Sequence, residues 1–171
     1  MKTKATILIV SALIPCFFVS CGNKKDKKQL RAEQVEEFTN SLTSQDTTTM
    51  LKLCDDAMEQ LKAKQIDKVL ASLYEYNDST KEVKPLTDTT AKHYRRHFMM
   101  FPVKEYYRKY FSFQLEGCND VKYEVVFATA EQAGTEEPAT TAFMFNPVKI
   151  GGVWHLCVKT PSDEIDPNYN R

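Results

Sequence analysis

His93 and His97 stand four residues apart, so on a helix both imidazoles project from one face, a spacing that can hold zinc or copper. The residues between them are Tyr94-Arg95-Arg96, without the glutamate that a zinc-protease helix carries there. Two adjacent guanidinium groups also oppose a bound cation. The pair therefore reads as an exposed basic helix face, and no metal is expected. Cys54 falls on an apolar helical stripe and reads as buried packing. Cys118, in a turn, and Cys157, in the last strand, could pair, although spacing alone fixes no distance between them. Cys157 also shares a strand face with His155 two residues away. That is the juxtaposition a cysteine nucleophile needs, but no acid is in place to orient the imidazole. Packing is the preferred reading.

Aromatic residues offer the other candidate chemistry. Strand alternation puts Tyr106 and Tyr110 on the face opposite Phe111 and Phe113. Rings with a few hydroxyls suit a flat, partly apolar ligand, and equally a plain core. Tyr106, Tyr110 and His155 are the candidate ligand-binding residues. An isomerase site would require a carboxylate base and a second acid, and no acidic pair matches; Glu105 merely shares a face with Tyr107. The chain has no phosphate loop, no Gly-x-Ser-x-Gly elbow and no dinucleotide fingerprint. No catalytic residue and no cofactor are assigned.

The elements that must position these groups follow from periodicity. Ala32, Val35, Phe38 and Leu42 form a narrow helical stripe. After Thr43-Ser44-Gln45-Asp46, a stronger helix over about 47–63 presents Met50, Cys54, Ala57, Met58 and Leu61 on one face. A third helix follows Gln65, with Asp67 as N-cap and Val69, Leu70, Leu73 and Tyr74 as its buried face, ending at Asn77-Asp78-Ser79. A fourth, over about 89–100, carries Ala91, Tyr94 and Phe98. From Val103 the period changes to two. Strands are predicted to Leu115, from Val121 to Thr129, from Thr140 to Val148 and from Val153 to Thr160, the last two joined at Gly151-Gly152. Trp154, Leu156 and Val158 alternate with Val153, His155 and Cys157, and the wholly apolar Trp154 set is assigned to the core. Helices followed by antiparallel strands predict an α+β fold with helices on one face of a curved sheet.

The chain has 171 residues, 23 Lys plus Arg against 23 Asp plus Glu, and 42 % hydrophobic residues. This excludes a disordered tail and a multi-span membrane protein, and it gives no electrostatic case for nucleic-acid binding. Lys2 and Lys4 precede a run from Ile7 to Val19 that is apolar apart from Ser11. The run is shorter than the roughly 20 residues of a membrane-spanning helix, and it fits a secretory signal peptide over 1–20. It ends Phe18-Val19-Ser20-Cys21-Gly22, which resembles the lipobox of bacterial lipoproteins, with Phe18 where Leu is usual. The resemblance implies cleavage before Cys21 and acylation at Cys21, whose two or three chains would hold the protein on a membrane where one chain binds marginally. Residues 21–29, with Lys24, Lys25, Lys27 and Lys28, read as a flexible tether. Lacking Asp after the cysteine, the chain by resemblance favours the outer membrane, on its periplasmic face because the tether is basic.

A single domain is expected over 30–160, with an exposed tail over 161–171. Its element order and its closing hairpin, Phe143 to Leu156 through Gly151-Gly152 and Trp154, resemble the nuclear-transport-factor-2-like superfamily, also called ketosteroid-isomerase-like or cystatin-like. The resemblance covers about 46–160. It implies a cone with a pocket between helices and sheet, used by some members for catalysis and by many for binding or dimerisation. The expected function is a membrane-anchored, non-enzymatic domain that binds a small ligand or a protein partner. The alternatives are a small isomerase or hydrolase with Tyr106, Tyr110 and His155 as pocket donors, and an envelope protein that dimerises through its sheet.

Overall fold

Thr43 accepts a hydrogen bond from the backbone N–H of Asp46, and the Asp46 carboxylate accepts one from the backbone N–H of Thr43. This capping box opens helix α2, Ser44–Lys62, by satisfying two N–H groups that the first turn leaves without helical partners. The computed structural model describes residues 26–159. The expected signal peptide 1–20 and tail 161–171 lie outside them, as does Cys21. Helix α1 spans Lys27–Ser41, so residues 27–29, expected as tether, form its first turn. None of its residues is buried, and the stripe at Val35 and Phe38 is only half covered. In α2 the expected stripe of Met50, Cys54, Ala57, Met58 and Leu61 is buried throughout.

Helix α3, Ile66–Ser72, is shorter than its periodicity predicts, and Gln65 rather than Asp67 occupies the N-cap. Leu73 and Tyr74 leave it to start strand β1, Leu73–Asn77, which turns through Asn77 into β2, Glu82–Pro85. The Asn77 side chain closes this turn by accepting from the N–H groups of Ser79 and Thr80. Leu-Tyr-Glu-Tyr satisfies a two-residue alternation as well as a helical one, and its tyrosines favour the strand. Helix α4, Asp88–Met100, is capped by Thr87, whose N–H and hydroxyl both donate to Glu75 of β1.

The remaining strands are β3, Glu105–Ser112; β4, Asp120–Ala128; β5, Ala139–Ile150; and β6, Val153–Val158. A four-residue helix α5, Ala130–Ala133, lies between β4 and β5. The six strands form one open sheet in the order β2-β1-β6-β5-β4-β3, antiparallel except where β1 runs parallel to β6. The fold is thus α+β, with two more strands than periodicity indicated. Gly151 and Gly152 have φ of 57° and 82°, the positive values required of a two-residue hairpin turn between paired Ile150 and Val153.

The helices cover one face. Val121, Tyr123 and Val125 of β4, Phe143 and Phe145 of β5 and Leu156 and Val158 of β6 pack there with the α2 stripe, Val69 and Phe98. Trp154 is buried on this face, as expected, and its indole N–H donates to Asp46 at 3.0 Å. The opposite face is covered in part by the 113–119 loop. Asn119 and Asn146 are buried there. Asn146 accepts from the Asn119 N–H and donates to the Gly117 carbonyl, while Asn119 donates to the Pro147 carbonyl and accepts from the Gln114 N–H. Gly117 (φ +89°) presses on Tyr76 of β1 so closely that a Cβ would stand 2.1 Å from the ring.

Trp154→Ala is expected to cost roughly 3–5 kcal/mol, the range for deleting a large buried aromatic, and to leave the domain close to unfolding. The half-buried His155 should cost about 1 kcal/mol as Ala. Urea denaturation of both variants checks this, and a reversed order would place the wrong strand face inward. Acid melts test Asp46. Lys149, then Thr43 and Trp154, hold its carboxyl far below its ordinary value of 3.8. The unfolded chain therefore takes up this proton first, and the stabilisation, complete above about pH 4, drains away as pH falls further. In Asp46→Asn the melting temperature should fall less steeply below that pH than in wild type; parallel curves would contradict this.

Candidate functional site

Helix α4 turns Thr89, Thr90, His93, Tyr94, His97 and Phe98 to one side, where they face β5. With Ala142, Phe143, Met144, Phe145 and Lys159 they line a cavity of about 530 Å³, within the size range of small-molecule sites. Its position follows from strand lengths. β5 runs the full width of the sheet, but β6 pairs with it only from Phe145 to Ile150. Beside Ala142–Met144 the helix stands over a stretch of β5 that, among the described residues, no strand pairs with on that side. The walls are mostly apolar, and the imidazoles, the threonine hydroxyls and Lys159 supply the polar positions.

His97 sits half-buried with its ring 5.0 Å from Phe143 and 5.1 Å from Phe101. Burial, then the nearby His93, holds its imidazole below the ordinary value of 6.5, so the neutral ring is favoured. His93 is exposed on the rim. The expected solvated face thus holds for His93 and fails for His97, because Phe143, in a strand far along the chain, covers one imidazole and leaves the other open. Among the described residues no group of three or more His, Cys, Asp or Glu could hold a metal. The Tyr94 hydroxyl donates to the Lys159 carbonyl at 2.6 Å, and the Lys159 ammonium lies 2.5 Å from Asp120. Both fix the end of β6 against the cavity.

Tyr106, Tyr110 and His155 do not converge. Tyr106 lies opposite Val125 on the helix-covered face and its hydroxyl donates to Glu59 of α2 at 2.5 Å. A bulge at Lys109 inserts one residue between Arg108, opposite Tyr123, and Tyr110, opposite Lys122. One extra residue exchanges the faces of everything beyond it. Tyr110 therefore lies on the outer face, with the Lys122 ammonium 5.9 Å from its ring centre, and Phe111 falls on the helix-covered side opposite Val121, where its ring remains exposed. His155 is also on the outer face, edge-on to Tyr74 at 5.1 Å.

A second constellation shares only Tyr106 with the sequence candidates. Asp55 and Glu59, one turn apart on α2, reach over the sheet. Tyr123 donates to Asp55 at 2.6 Å, Arg108 donates to both Asp55 oxygens at 2.9 and 3.1 Å, and Tyr106 meets Glu59. Burial first, then these carboxylates, pushes both tyrosine hydroxyls far up, so both remain donors. Both Asp55 oxygens are thus engaged, and the cluster acts as a clamp between α2 and β3–β4. Its one sequence signal is Asp55 and Glu59 flanking the buried stripe at Cys54 and Met58.

Among the described residues no helix is long and apolar enough to cross a membrane. Comparison with protein-family models, curated proteins and solved structures finds no match to this chain.

His97→Ala should cost about 1–2 kcal/mol and His93→Ala under about 0.5 kcal/mol, measured by urea denaturation; equal costs would put both rings in solvent. The unfolded chain also protonates at position 97 before the folded one. Wild-type stability should therefore drop as pH passes below about 6.5 in a step that His97→Phe removes.

Proposed function

We propose that this protein is a lipid-anchored envelope lipoprotein whose α+β domain binds a small, largely apolar ligand, without catalysing a reaction on it. The observation that carries the reading is the cavity between α4 and β5, with aromatic walls and a few imidazole and hydroxyl groups at its edge. Such a lining desolvates a ligand and fixes its orientation through a small number of polar contacts. The most elaborate polar cluster, at Asp55 and Tyr123, is engaged in holding α2 to the sheet, which supports a binding role over an enzymatic one. The lipobox-like end of the apolar run at Ser20-Cys21 supports the anchor, with Cys21 as the acylated residue and the outer membrane as destination. The finer fold reading is a cone of the nuclear-transport-factor-2-like type. Helices α2, α3 and α4 gathered on one face of the sheet support it, as does a terminal hairpin with Trp154 turned inward. The binding site in this reading is the α4 cavity rather than Tyr106, Tyr110 and His155 together.

One pair of measurements tests both halves. In bacterial cells fed labelled palmitate, wild type should carry label in the membrane fraction and Cys21→Ser should carry none; equal labelling would remove the anchor. The purified protein should enhance the fluorescence of the apolar anion 8-anilinonaphthalene-1-sulfonate. His93→Trp, which fills the cavity mouth, should weaken dye affinity about tenfold, equivalent to about 1.4 kcal/mol. Unchanged affinity in a folded variant would remove the site.

A further inference from the structure

We propose that Cys118 and Cys157 form a disulfide that fastens the 113–119 loop to strand β6. The two residues come from separate parts of the chain and meet on the outer face of the sheet, on the side away from the helices. Leu156 and Val158 point into the core, so Cys157 between them points outward. Its partner across the ladder is Asn146, whose side chain therefore stands beside it on the same face. That side chain grips the loop on both sides of Cys118, through the Gly117 carbonyl at 2.7 Å and the Asn119 N–H at 2.9 Å. The backbone of Cys118 is thus held against the one residue that neighbours Cys157 across the hairpin. Asn119 bonded to the Pro147 carbonyl and Gly117 wedged against Tyr76 hold the loop at this spot. A disulfide needs its two Cα atoms within about 7 Å, and the Asn146 side chain, bonded to the residues on both sides of Cys118 and adjacent to Cys157, brings the two cysteines to one spot on the outer face.

The two cysteines also differ in the way the chemistry requires. Cys118 is partly exposed and Cys157 is buried. The Cys118 thiolate attacks a small-molecule or protein disulfide oxidant, forming one mixed disulfide and releasing one oxidant thiolate. The Cys157 thiolate then attacks the Cys118 sulfur and displaces the second. Two protein thiols are oxidised to one disulfide, one oxidant disulfide is reduced to two thiols, and the two thiol protons pass to the leaving thiolates. Cys54 is an internal control. It lies on the buried stripe of α2, on the other face of the sheet, and burial raises its thiol far above the usual range, so it should take no part.

The test is non-reducing peptide mapping of the folded full chain after incubation with glutathione disulfide. Trypsin yields residues 110–122 with Cys118 and 150–159 with Cys157. Wild type should give these two peptides joined, separable by reductant, with a higher melting temperature than the reduced protein. Cys157→Ser should instead accumulate glutathione on Cys118, while Cys118→Ser should leave Cys157 unmodified. Recovery of the two peptides unlinked from oxidised wild type with a native circular dichroism spectrum would overturn the proposal. So would Cys118 linked to any other cysteine.

Discussion

Asp46 accepts from the Thr43 backbone, the Lys149 ammonium and the Trp154 indole at once, and the arrangement of the molecule follows from that convergence. The carboxylate belongs to the first turn of α2, where a negative charge also favours the positive end of the helix. The two side chains that reach it from afar belong to the two arms of the β5–β6 hairpin, opposite one another at Lys149 and Trp154. One charge therefore fixes where α2 starts relative to the last strands. Since α2 supplies Met50, Cys54, Ala57, Met58 and Leu61 to the core, its starting point determines which residues of the sheet those side chains meet. At the other end of the sheet, Asp55 and Glu59 repeat the device on Tyr123, Arg108 and Tyr106. The helix is held by a carboxylate clasp on each side of an apolar contact, a division in which burial supplies stability and the charged groups set register.

The outer face solves a different problem. Pro147 lies in a long strand and cannot donate to a ladder. It is tolerated because β4 begins at Asp120, paired no further along β5 than Phe145, leaving only β6 beside β5 at Pro147. The loop before β4 occupies the vacated side, and Asn119 takes up the Pro147 carbonyl. Asn119 and Asn146 are almost without solvent contact, and a buried amide is costly unless its groups are paired. Here each oxygen accepts and each nitrogen donates. The same loop requires Gly117, because the Tyr76 ring occupies the space a larger residue would need.

Much of this was legible in the chain. The α2 stripe, the Gly151-Gly152 turn and the inward Trp154 depend on local periodicity and turn chemistry, which the sequence displays directly. What was not legible depended on partners distant along the chain. Leu73 to Tyr76 satisfies two periods at once, and pairing decides for a strand, with β6 at Leu73 and Tyr74 and with β2 from Tyr74 to Asn77. The Lys109 bulge has no glycine to announce it, so strict alternation put Tyr110 on the wrong face. His97 looked like its neighbour His93 until Phe143 covered it. The cavity was invisible for the same reason, since it lies under α4 where, among the described residues, β5 extends past its pairing with β6.

The bulge has a consequence for how the protein behaves at high concentration. β3 is the outermost strand on its side, eight residues long and rich in tyrosine, the kind of exposed edge to which a neighbouring chain can add its own strand. Irregularity between Arg108 and Tyr110 interrupts the straight row of backbone donors and acceptors that such growth copies. It falls where Arg108 and Lys109 are held by Asp55 and Glu124, so that the charges lie along the edge and an incoming strand would have to desolvate them. The residue that turns Tyr110 outward thereby also makes this tyrosine-rich border a poorer template for an added strand.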